Sequence, residues 1–209
     1  MKKVKPYNTV SEAVATLDNG GRFYNILTKP EDGIISESEV GKVAGLFNDK
    51  QKMILFLELS LAKLNQVDRE EVVLKLDSKL QKAYQRYKPQ KLLSSEANTV
   101  GVISSNAIVT GIPTLVESKT DLLGFIMIPI VTDKTTTFTM VPLIEKYDVY
   151  EMRDELSSDT FLIAHAKGSQ KLPQGKVTVA GVLKELKGRK NKDSPARIFL
   201  EAIYHVEAE

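Results

Sequence analysis

Five basic residues in nine are the densest candidate chemistry in this 209-residue chain: Lys184, Lys187, Arg189, Lys190 and Lys192, within residues 184–192. Charges this close act jointly on a phosphate chain, so the run is the candidate nucleic-acid-binding segment. Gripping a single strand also takes aromatic platforms. Phe125, Phe138, Tyr147, Tyr150, Phe161, Phe199 and Tyr204 lie in the same half of the chain. The competing reading is a solvated turn kept soluble by lysines, with the aromatics filling a core. A second candidate is acidic. Asp148, Glu151, Asp154, Glu155 and Asp159 crowd one stretch, with Lys146 and Arg153 interleaved. Paired carboxylates act as general acid and base when burial separates their pKa values. Mixed charges beside a strand end and a turn read instead as a wet surface.

Other chemistries lack their parts. The two histidines, His165 and His205, are not spaced as a metal pair, and each sits in or beside an apolar run. They read as packed residues rather than general bases. Cysteine is absent, which removes disulfides, thiolate metal sites and thiol nucleophiles and fits a reducing compartment. No G-x-S-x-G elbow, HExxH or phosphate loop occurs, and Gly20-Gly21 lacks the Lys-Ser/Thr that would follow in such a loop. No catalytic residue, metal ligand or cofactor is therefore expected.

Charge and hydropathy bound the partners. Residues 1–98 hold 16 Lys and Arg against 13 Asp and Glu, and residues 99–209 hold 13 against 14. Neither half has the excess that neutralises many phosphates, so nucleic-acid binding would rest on a local patch. The start, Met1-Lys2-Lys3-Val4-Lys5-Pro6, is basic but no apolar stretch follows it, which argues against a signal peptide. The most apolar run, residues 122–131, contains Pro129 and is too short to span a bilayer. A soluble, cytoplasmic protein without membrane contact is the expectation.

The elements that must hold these residues change character near residue 90. Apolar residues three and four apart mark helices in the first half. Ser36 and Glu39 have capping-box spacing, and Val40, Val43, Ala44 and Phe47 form the face that follows. Met53, Leu57, Leu61 and Leu64 mark a second helix. Val72, Leu76, Leu80, Ala83 and Tyr87 mark a third, from Asp68 to the stop at Lys88-Pro89. Residues 9–17 and 22–27 read as two shorter helices, making about five, each with one buried and one wet face. From Val100 the period is two. Strands are expected at 108–109, 115–116, 125–131, 138–144, 161–164, 177–183 and 198–206, with a helical turn at 154–158.

Two resemblances follow. Residues 31–39, Glu31-Asp32-Gly33-Ile34-Ile35-Ser36 with Glu37, Ser38 and Glu39, resemble the second half of an EF-hand loop. Thr28 and Pro30 occupy the opening ligand positions, so a turn and a capped helix is the reading kept. The same turn with its amphipathic helices resembles the tellurite-resistance-type helical domains over 30–87, without their acidic cluster. In the second half, residues 160–164, the turn after them, residues 176–183 and 197–203 resemble the closing strands of an OB-fold barrel. That resemblance implies a coiled strand at Gly181.

The fold class expected is α+β: a helical bundle at 1–89, a linker at 90–98 and a small OB-like barrel at 99–209. The expected function is a non-enzymatic binding or protein-interaction module with a protein partner. The alternatives are an OB-type single-stranded nucleic-acid binder using Lys184, Lys187, Arg189, Lys190 and Lys192, or an enzyme whose site is assembled only in three dimensions.

Overall fold

A computed structural model of the chain describes residues 1–23, 26–116, 125–131, 135–155, 159–186 and 197–207. It mixes helix and strand and divides into two units, Lys3–Pro89 and Met1–Lys2 with Gln90–Glu209. The strand β1 (Lys2–Lys3) comes first, then α1 (Val10–Leu17), a β2–β3 hairpin (Asn19–Phe23 and Ile26–Pro30), α2 (Glu37–Ala44), α3 (Lys50–Ser60), α4 (Gln66–Leu74) and α5 (Ser78–Tyr87). Side-chain caps start most of these helices. Thr9, Asp49, Asn65 and Asp77 each accept from the backbone N–H three residues on, which satisfies a donor the helix itself leaves open.

Three expectations change in this unit. Of the helix expected at 22–27, Arg22 and Phe23 belong to β2 and Ile26 and Leu27 to β3, and residues 24–25 lie outside the described residues. Gly20 of β2 takes φ 52°, and a Cβ there would lie 2.3 Å from the Pro30 nitrogen on β3, so this close approach of the two strands requires glycine. The helix expected from Asp68 to Tyr87 is two helices. Asp77 caps α5, and Ile35 exchanges backbone bonds with Lys75 and Asp77 across the break. Finally, α3 has no wet face beyond its first turn, because Met53 to Ser60 are all buried. Its two polar residues there are satisfied: Tyr84 donates to the Glu58 carboxylate, and the Ser60 hydroxyl donates to the Leu57 carbonyl. Burial and that bond hold the Tyr84 hydroxyl well above its usual pKa.

The second unit is built on strands. Its elements are β4 (Gln90–Leu93), α6 (Ala97–Val100), β5 (Asn106–Leu115), β6 (Phe125–Val131), β7 (Thr136–Pro142), α7 (Leu143–Lys146), β8 (Tyr147–Arg153), β9 (Thr160–Ala166), β10 (Val177–Leu186) and β11 (Arg197–Glu207). The main sheet runs β1–β11–β10–β5–β8–β9, and β11 also pairs β9 in parallel at Leu200–Ile163 and Glu201–Ala164. The strand pairings thus come back on themselves. The joining segment expected at 90–98 is partly strand, because β4 pairs β5 in parallel. A strand missing from the sequence reading, β8, joins β5 to β9. The strand expected over 138–144 ends at Pro142 and gives way to α7. Of the turn expected at 154–158, residues 156–158 lie outside the described residues.

Alternation along the strands feeds two apolar clusters. Val109, Tyr150, Met152, Phe161, Ile163, Val177, Val179, Leu183 and Leu200 belong to one. Val149, Leu162, Ala164, Leu186, Phe199 and Leu143 form the other, with Ile126 and Tyr147 packed against it. Strands β8 and β9 are therefore covered on both faces. Register shifts between Ala180 and Gly181, where a Cβ would meet the Glu201 carbonyl oxygen at 2.1 Å. Glycine at this bulge is a steric requirement. No helix among the described residues is long and apolar enough to cross a membrane.

Candidate functional site

Of the basic run, only Lys184 has a described side chain. It stands on β10 opposite Phe199, and its Nζ lies 2.6 Å from Glu201 Oε2. Glu201 Oε1 accepts from the Tyr147 hydroxyl at 2.5 Å. Tyr147 belongs to β8, and β9 lies between it and β11, which carries Glu201 opposite Ala164. Burial and the Glu201 carboxylate together push the Tyr147 hydroxyl well above its usual pKa. The Lys184 charge is thus answered within the fold. Lys187, Arg189, Lys190 and Lys192 lie outside the described residues.

The aromatic residues are mostly spent on packing. Phe161, Phe199, Tyr150 and Tyr204 are buried, and Tyr147 meets Phe199 edge-on at 6.3 Å. Phe138 is exposed, and the Phe125 side chain is outside the described set. No single-strand stacking platform is assembled among the described residues.

The acidic run is not uniformly the wet surface expected. Glu151 is exposed and Glu155 pairs with Lys176 at 3.1 Å, but Asp154 is buried. Its Oδ2 accepts from the Ser95 backbone N–H at 3.1 Å and the Ser95 hydroxyl at 3.0 Å, clasping the segment after β4 to the end of β8. Among the described residues no group of three carboxylates or imidazoles is arranged to hold a metal ion.

His165 is buried on β9, stacked on Tyr150 at 5.5 Å, with Nδ1 3.1 Å from the Ala166 carbonyl oxygen. Burial holds its pKa below the ordinary histidine range, against the pull of that carbonyl and of Asp148. The Tyr150 hydroxyl accepts from the Leu172 N–H at 3.3 Å, tying down the connection between β9 and β10. This is a packing arrangement. His205 is buried on β11 opposite Val179.

The acidic turn spends its inner carboxylates on the backbone. Glu39 is buried, accepting from the Gly20 N–H at 2.7 Å and from the Ser36 N–H and hydroxyl at 2.8 Å. Asp18, also buried, accepts from the Gly33 N–H at 2.8 Å and the Asp32 N–H at 3.4 Å. The EF-hand likeness therefore reflects a capped turn.

Among the described residues the helical unit carries open grooves, of which two bear on function. The first holds about 490 Å³ between α2, α3 and the start of α5. Gly41, Leu46, Phe47 and Met53 supply its apolar surface, with Glu37, Asp77 and Lys79 around it. A Cβ at Gly41 would meet the Leu46 carbonyl oxygen at 2.9 Å, so glycine lets the turn after α2 fold back closely. Phe47 is 59% exposed at its edge, and Glu37 is tied to Lys50 of α3 at 3.1 Å. The second groove, about 580 Å³, runs along α1 and α4 past the acidic turn. Neither groove was foreseen, because each is made by residues from three segments far apart in the chain. A comparison with protein-family models finds none that matches the chain, and a comparison with curated proteins finds no match.

Proposed function

We propose that this protein is a non-enzymatic protein-interaction module, in which a helical bundle is joined to an OB-type barrel and acts in the cytoplasm. The observation that carries the reading is the distribution of exposed apolar side chains. In the helical unit Ile34, Phe47, Val67 and Leu74 are all more than half exposed. Phe47 lines the first groove, Ile34 and Leu74 adjoin Gly33 and Lys75 of the second in sequence, and Val67 lies one turn before Glu71 on α4. Large apolar side chains left in water beside shallow grooves are what a binding surface for another protein needs.

The barrel reading is supported by the pairing circuit β5–β8–β9–β11–β10, which uses five strands in a Greek-key order. Barrels of this type hold nucleic acid on the face of their second and third strands. Here Leu143 and Ile126 pack against the corresponding residues, Val149, Leu162 and Ala164. That covering, and the pairing of Lys184 with Glu201, favour the interaction reading over the single-stranded nucleic-acid reading, whose remaining support is the basic run. An enzyme would need convergent ionisable groups in a cleft. The two grooves instead combine apolar surfaces with a few carboxylates and a lysine each, and no histidine lines either.

Affinity capture with the full-length protein tests the reading, using Phe47→Ser and Leu74→Ser variants as baits. A protein retained by the wild type and lost from either variant supports it. Retention indifferent to both variants, together with oligonucleotide binding that disappears when Lys187, Arg189, Lys190 and Lys192 are replaced by Gln, would replace it with the nucleic-acid reading.

A further inference from the structure

We propose that the groove along α1 and α4 docks a basic amphipathic helix of the partner protein, an inference that rests on the interaction-module reading. Its apolar surface comes from α1, where Val10 and Val14 are one turn apart and Ala15 adjoins them. Its charge comes from Asp18, Glu31 and Glu71 against a single cation, Lys75. Asp18 is committed to the Gly33 and Asp32 N–H groups, which leaves Glu31 and Glu71 as the exposed carboxylates.

The groove does not end at its lining. On α4, Val67, Glu71 and Leu74 are spaced to share one face, and Glu70 is exposed beside them. Val67 is 74% and Leu74 77% exposed, and Ile34, next to Gly33 in the acidic turn, is 54% exposed. Asp32 in that turn is exposed too. The surface thus alternates aliphatic side chains with carboxylates across the helix and the turn.

Charge complementarity selects the occupant. A phosphate chain or an anionic lipid surface would be repelled by Glu31, Asp32, Glu70 and Glu71. A lysine-bearing segment is attracted, and leucine or valine on the same face would cover the exposed aliphatics. The groove follows two helices, so a third laid along it packs side-chain ridges into the existing furrow, the helix-in-groove mode.

The test uses the full-length protein and three labelled peptides of about four helical turns. One is amphipathic with leucine and lysine. The second carries glutamate in place of every lysine. The third keeps the lysines but has serine in place of every leucine. Fluorescence anisotropy should show binding of the leucine–lysine peptide alone, weakening as salt rises. Glu31→Lys with Glu71→Lys should weaken that binding by about tenfold or more. Val67→Ser with Leu74→Ser, both at exposed positions that leave the fold intact, should do the same. Binding that ignores both pairs of substitutions overturns the inference, as does equal binding of the serine–lysine peptide or no binding of any peptide. Binding of the leucine–glutamate peptide instead would overturn the basic helix while leaving the interaction-module reading in place. That reading is decided separately by the Phe47→Ser bait, which alters the other groove.

Discussion

Glu39→Ala should destabilise the helical unit far more than removal of its neighbouring carboxylate Glu37. The Glu39 side chain is 1% exposed, so water cannot take over its bonds. Its loss leaves the buried Gly20 N–H, 2.7 Å from Oε1, without that acceptor, which costs about 1–3 kcal/mol. It also removes the half of the capping box that receives the Ser36 N–H, worth about 1 kcal/mol. Together these come to about 2–4 kcal/mol, and because removing the carboxylate relieves its own desolvation the net expected is about 1–3 kcal/mol. Glu37→Ala, in the same first turn, removes only a part-exposed ion pair with Lys50 and should cost under about 1 kcal/mol. Urea unfolding followed by the helical circular dichroism signal measures both, with the slope against urea unchanged if only stability moved. A Glu39→Ala cost below about 1 kcal/mol, or one equal to that of Glu37→Ala, would refute this account of the turn.

Gly181→Val should disrupt the β-rich unit, since a Cβ at 181 would sit 2.1 Å from the Glu201 carbonyl oxygen. The expected loss is about 3 kcal/mol, read by thermal unfolding of the strand signal. The fold favours neutral His165, whose pKa is held below the unfolded value of about 6.5. Its contribution is therefore complete above about pH 6.5 and is lost as pH falls below that. Melting temperatures should drop on acidification more steeply in the wild type than in His165→Gln, and parallel curves would show that His165 is not responsible. Calorimetric titration with calcium should give no saturable heat, because Glu39 and Asp18 are spent on backbone donors. A defined binding isotherm would reverse that assignment.

Much of the helical unit is legible in local spacing. Ser36 and Glu39 announce α2, and Pro89 ends α5, because caps and proline act through bonds and clashes within a few residues. The pairing of β2 with β3 is not legible in the same way. The apolar spacing of residues 22–27 fits a short helix, and only the pairing of one strand with the other makes Arg22, Phe23, Ile26 and Leu27 extended. Strand β8 escaped for a related reason. Asp148, Glu151 and Arg153 interrupt its apolar pattern, yet Val149 and Tyr150 face different clusters because neighbouring elements cover both sides. The buried run of α3 likewise depends on what surrounds it, since its sequence carries Glu58 and Ser60 that elsewhere would face water.

The candidate site divides along the same line. Residue types alone removed thiol and zinc-thiolate chemistry, since cysteine is absent. The Thr28 and Pro30 positions alone argued against a calcium loop. Which lysines, carboxylates and aliphatics remain exposed was decided only by the tertiary structure. Lys184 looks like its neighbours in the basic run until Glu201 is brought within 2.6 Å of it. Phe47 counts as part of the buried face of α2 in the sequence pattern, yet packing leaves it 59% exposed. The physical reason is that helix caps and turn glycines act over a few bonds. Exposure and charge pairing are instead properties of surfaces, assembled from segments that meet only after the chain has folded.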